Sequence, residues 1–131
     1  MTLAPSSHKH ITRFGKELSH PLYDYVPLTP LLDASLKEGE WVGLKLLSWS
    51  PPGQPKQVIN QLHIDTQPFD AQGRPANHWR LLSAYVDEEG KSTGRYTQLV
   101  NWGGWQTTLR MDGYASMDFA LPSVREVVAP D

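Results

Sequence analysis

From Trp41 to Trp49 the chain alternates with a period of two. Val42, Leu44 and Leu46 fall on one side, and Trp41, Lys45, Leu47 and Trp49 fall on the other. This is the repeat of a β-strand. The prolines and glycine of Ser50 to Pro55 end the run and predict a loop. A second strand is predicted from Gln57 to Asp65, with Val58, Leu62 and Ile64 on one side and Gln61, His63 and Asp65 on the opposite side. Thr66 to Asn77 then reads as a long loop around Pro68, Gly73 and Pro75. Connectors of that length in a compact domain tend to be binding loops or lids.

The last third predicts a four-stranded antiparallel meander. Its strands run from His78 to Val86, Arg95 to Trp102, Trp105 to Met111 and Tyr114 to Leu121. Between them lie a polar turn from Asp87 to Gly94, the Gly103-Gly104 break and the Asp112-Gly113 hairpin signal. The tail from Pro122 adds at most a short strand or helix through Val124, Val127 and Val128. Toward the N-terminus, residues 1–9 are polar and are expected to be disordered. Ile11, Thr12, Arg13 and Phe14 predict one short strand. Thr29 as N-cap and Pro30 at the first helical position open a short helix with Leu31, Leu32 and Leu36 on one face, closed by Gly39.

Together these elements predict a single domain over residues 1–131. The fold class is mainly β: a small antiparallel β-barrel, a small sandwich or a strongly curved sheet of six to seven strands, with one short helix. Composition narrows the chemistry. The chain has no cysteine, which excludes disulfides, thiolate metal sites and a cysteine nucleophile. Residues 1–7 hold no apolar run of the signal-peptide kind, and no stretch approaches the roughly 18 apolar residues of a membrane span. A cytoplasmic protein without membrane contact is the expectation. Net charge is −2, from 12 Lys and Arg against 14 Asp and Glu, without the basic stripe that duplex binders carry.

Five tryptophans are the over-supplied feature. Period-two spacing groups Trp79, Leu81, Ser83 and Tyr85 on one face of their strand, and Tyr96, Gln98, Val100 and Trp102 on one face of the next. Paired, these faces would join aromatic rings with hydrogen-bonding side chains. Large rings equally fill the core of a small barrel. Trp102-Gly103-Gly104-Trp105 reads either as a barrel corner or as a ligand rim between two indoles. The ligand-binding candidates are therefore Trp79, Tyr85, Tyr96, Trp102, Trp105 and Arg95. Arg80, Arg95 and Arg110, on successive predicted strands, could form a cationic row beside them.

His63 and Asp65 leave the same strand face and form the best candidate for acid–base chemistry, with His78 as a distant third member of a metal set lacking specific spacing. Asp87, Glu88 and Glu89 read as a solvated loop tip. No phosphate loop, nucleophile elbow or zinc-protease motif is present. The leading expectation is a non-catalytic binding or accessory module that presents aromatic residues on a β-sheet face, with no cofactor and no metal. Its partner would be a small molecule, a carbohydrate or single-stranded nucleic acid, and pairing of sheet edges would give a homodimer. Two alternatives stand beside it. One is a single-strand nucleic-acid binder of small-barrel type. The other is an enzyme using His63 and Asp65 inside a barrel.

Overall fold

The computed structural model describes residues 2–6, 9–15, 32–34, 39–91, 98–102, 107–109 and 116–128. Among these the secondary structure is entirely β. Two three-stranded antiparallel sheets form, one from β1 (Thr2–Ser6), β2 (Lys9–Arg13) and β3 (Leu32–Ala34), the other from β4 (Gly43–Trp49), β5 (Gln57–Asp65) and β6 (Arg80–Glu88). Each follows chain order, with the middle strand paired on both sides.

The first sheet departs from the sequence reading. Residues 2–6, within the segment expected to be disordered, pair with β2 from Thr2↔Arg13 to Ser6↔Lys9. Leu32 to Ala34, the centre of the expected helix, is a strand whose Leu32 pairs with Thr12. A helix of two or three turns is marginal in water. A leucine-rich segment gains as much from pairing along a strand, so the tertiary partner decides.

The second sheet holds the core. Leu62 and Ile64 of β5 are fully buried, with Leu82 of β6 and Phe14, the residue after β2, against them. Val42, Leu44 and Tyr85 pack around this cluster. The Phe14 and Tyr85 rings lie 6.3 Å apart, tilted by 32°. The alternation expected for β4 and β5 is realised: Leu44 pairs with Ile64 on the core side, and Lys45 pairs with His63 on the outer side. Leu46, expected beside Leu44, pairs with Leu62 on the same side but is half exposed.

The register of β6 breaks once. His63 pairs with Leu81, but Leu62 pairs with Ser83, so Leu82 is an extra residue in a β-bulge. The bulge places Leu82 in the core beside Leu62. It also divides the aromatic face expected on this strand. Trp79 and Leu81 stay on the outer face with Lys45 and His63, while Ser83 and Tyr85 turn to the core side.

The sheet β4-β5-β6 is open, with β4 and β6 as its edges among the described residues, and is not closed into a barrel. Of the remaining meander, residues 98–102, 107–109 and 116–121 are not strands, and residues 122–128 form neither strand nor helix. Leu99 is nevertheless buried, and the Val100 N–H donates to Asp87 Oδ2 at 3.3 Å. Asp87 is thus a buried residue at the end of β6 rather than part of a solvated tip. Its neighbours do ring the turn that follows, where Lys91 pairs with Glu88 at 2.7 Å and Lys56 with Glu89 at 3.0 Å.

Candidate functional site: the outer face of the second sheet

Both connections of the second sheet are tightly built. Between β4 and β5, Gln54 N–H donates to Pro51 O at 3.1 Å with Pro52 and Gly53 at the turn centre. Gly53 has φ +73°, as the third residue of a type II turn requires. Gln57 N–H then donates to Gln54 O at 3.2 Å in a second turn led by Pro55.

The long connection between β5 and β6 is a folded hairpin. Phe69 bridges Pro75, and Ala76 N–H donates to Pro68 O at 2.8 Å. Asp70 organises the tip. Its Oδ1 accepts the Gln72 and Arg74 N–H groups at 2.9 Å each, and its Oδ2 pairs with the Arg74 guanidinium at 2.8 Å. The Arg74 N–H holds the Asp70 carboxyl below its usual pKa; burial opposes it, and the Arg74 side chain and the Gln72 N–H add weaker lowering effects.

Asp65 closes the base of this hairpin. Its side chain is 1% exposed. Oδ1 accepts Gln67 N–H at 2.9 Å, and Oδ2 accepts His78 N–H at 2.8 Å. Both oxygens of the expected catalytic acid therefore serve backbone groups. His63 Nε2 lies 3.2 Å from Gln61 Oε1 instead. No hydrogen bond joins His63 to Asp65 among the described residues, and no three of their His, Asp or Glu side chains are grouped to hold a metal ion.

The chain leaving this hairpin aims Trp79. Asn77 adopts φ +59°, a conformation asparagine tolerates. Its amide donates to Pro75 O at 3.3 Å and accepts the Trp79 indole N–H at 3.2 Å. The ring lies over Gly43, where a Cβ would sit 2.9 Å from its Cη2. Lys45 Nζ is 4.5 Å from the ring centroid, a cation–π contact. The same ammonium adds to the effect of burial in holding the His63 imidazole below its ordinary pKa, burial being the larger cause. Among the described residues this face therefore sets Lys45 beside an imidazole biased toward its neutral form.

Most of the rest of the outer face is apolar, up to the polar pair Gln57 and Glu88 at its far end. Leu47 and Trp49 of β4, Ile59 of β5, and Leu81, Ala84 and Val86 of β6 surround Lys45, Gln61 and His63 by register. Exposure rises toward β6, where Leu81 is 51% and Val86 48% exposed. At the opposite corner Trp41, half exposed, meets Phe69 edge-on with ring centroids 5.8 Å apart. Three tryptophans thus border this face. Trp41 and Trp49 were placed on it by the period of β4 but were not singled out as ligand residues.

Of the residues expected to bind ligand, Trp79 is on this face and Tyr85 belongs to the core side. Trp102 is exposed in a segment without regular structure. Arg95, Tyr96, Trp105 and Arg110 lie outside the described residues. Arg80 is exposed on the opposite side of the sheet, paired with Ile64. Apolar exposure continues in the C-terminal stretch 116–128, where Met117, Phe119, Leu121, Val124 and Val128 are all exposed. Among the described residues no helix is long and apolar enough to cross a membrane. No protein-family model matches the chain, and comparison with curated proteins and with solved structures finds no similar protein.

Proposed function

We propose that this chain is a non-catalytic binding module whose working surface is the outer face of β4-β5-β6, and that this face takes an extended, apolar segment of protein. The observation that carries the reading is the division of the sheet. Its core side is packed around Phe14, Leu44, Leu62, Ile64 and Leu82, with Leu46 half exposed at its margin, whereas its outer side sets half-exposed Leu81 and Val86 in a face bordered by tryptophans. Leaving apolar surface in water forgoes about 25 cal/mol per Å² of possible burial, and a contiguous exposed patch of this kind marks an interaction site. Gln61, His63 and Lys45 offer hydrogen-bonding groups at its centre.

The aliphatic side chains favour a protein segment over a sugar, which stacks on rings and seeks dense polar contacts. Single-stranded nucleic acid needs cations beside its stacking rings. Lys45 is the one cation among the described residues of this face, and it already lies over Trp79. The acid–base reading loses its base-orienting carboxylate, because Asp65 holds the hairpin.

The test is a binding titration with three probes: a fluorescein-labelled peptide of alternating valine and threonine, cellohexaose, and a fifteen-residue oligothymidylate. It uses the full chain and its Phe119→Asp variant, which removes an exposed apolar residue of the chain's own C-terminal stretch. Saturable peptide binding by either protein, abolished by Leu81→Lys with Val86→Lys, is expected. Absence of peptide binding in both proteins, or binding of the sugar or oligonucleotide alone, overturns the reading.

A further inference from the structure

The C-terminal stretch 116–128 has the pattern of a segment that the outer face would accept. Met117, Phe119 and Leu121 alternate with Ser116, Asp118 and Ala120, so an extended backbone presents one apolar edge and one small or polar edge. The segment is not paired into a sheet, and Phe119 is 53% and Leu121 66% exposed. Leu121 also has φ +51°, a left-handed conformation that an L-leucine avoids, immediately before Pro122. Such backbone persists where surrounding contacts impose it, yet the side chain of Leu121 is largely free of its own chain.

We infer that residues 116–128 form an arm that packs on the outer face of a second copy of this chain, along β6, in a reciprocal exchange. The inference rests on the binding reading of that face and names its occupant. Two observations join the surfaces. Each is apolar and uncovered in the same molecule, so two copies bring both pairs together in one closed two-fold arrangement. Their dimensions also agree. Met117 to Leu121 spans about 13 Å when extended, and Leu81 to Val86 of bulged β6, which lies opposite His63 to Ile59, spans about the same. Phe119 then meets the middle of β6 around Ala84, an exposed small residue with room for a ring.

Sedimentation equilibrium of the full chain tests this. The expected mass is twice 14.8 kDa. Phe119→Asp with Leu121→Asp, and separately Leu81→Lys with Val86→Lys, weaken self-association by about 30-fold or more, the loss typical of removing an interface anchor. All four residues are exposed, so the circular dichroism of the folded chain stays at its wild-type form. Mixing the two double variants recovers part of the association, because one of the two exchanges then joins an intact arm to an intact face. A monomeric wild type at millimolar concentration overturns the exchange while leaving the peptide-binding test of the face untouched. A dimer that survives the arm variant, or that breaks with the arm variant but not with the face variant, overturns it as well.

Discussion

The backbone N–H of His78 donates to Asp65 Oδ2 at 2.8 Å, across a separation of 13 residues. That single contact fixes where β6 begins relative to β5, and Gln67 N–H takes the other carboxylate oxygen. Asp65→Ala leaves two amides without their acceptor and is expected to lower stability by about 2–4 kcal/mol. Asp65→Asn keeps one acceptor oxygen and should lose about half as much. Urea unfolding checks both, and hydrogen exchange at the His78 amide should quicken in each. An unchanged midpoint in Asp65→Ala would show that the carboxylate does not hold the hairpin.

Gly43 is required by the ring above it. A Cβ there would lie 2.9 Å from Trp79 Cη2 and 3.2 Å from Asp65 Cβ. Gly43→Ala should displace the indole, release Lys45 from its face and cost about 1–3 kcal/mol. The tryptophan emission maximum is expected to move to longer wavelength as the ring gains water.

His63 should make stability depend on pH in one direction. Its folded pKa lies below the ordinary value of 6.5. Between the two values the unfolded chain binds more protons, so stability is full above about 6.5 and falls as the pH drops through that range. Lys45→Met removes the smaller of the two causes, so the His63 pKa should rise part of the way toward 6.5. Proton NMR of the imidazole across pH 4–8 measures it, and an unshifted titration would remove Lys45 from the explanation.

Asp70 should govern the hairpin tip at lower pH. Its folded pKa is depressed below 3.8, so its contribution is present above that value and is lost as acid protonates the folded carboxylate. Asp70→Ala should open the tip at all pH values. Faster exchange of the Ala76 amide and a change in Trp41 emission, through its contact with Phe69, would report the opening.

Much of the second sheet was legible from alternation alone. The period of two placed β5 at Gln57–Asp65 and put Leu62 and Ile64 on the core side. It likewise separated Lys45 and Trp49 from Leu44 in β4, and the structure makes theirs the outer side. It did so because a strand with one buried face must repeat at its own pleat. The proline and glycine pairs marked the loop after Trp49 for an equally local reason, since Gly53 alone tolerates the positive φ that the turn requires.

Tertiary structure decided what has no local signature. The bulge at Leu82 exists because a leucine gains burial beside Leu62, and that one inserted residue separates Trp79 from Tyr85. Asp65 reads as a partner for His63 until the fold brings the His78 and Gln67 amides to it; backbone donors leave no trace in residue type. Leu32 to Ala34 is a strand because β2 supplies hydrogen bonds that an isolated short helix lacks in strength. The alternation of β4 and β5 was therefore set by the chain itself. The composition of the outer face was set by contacts between residues far apart in it.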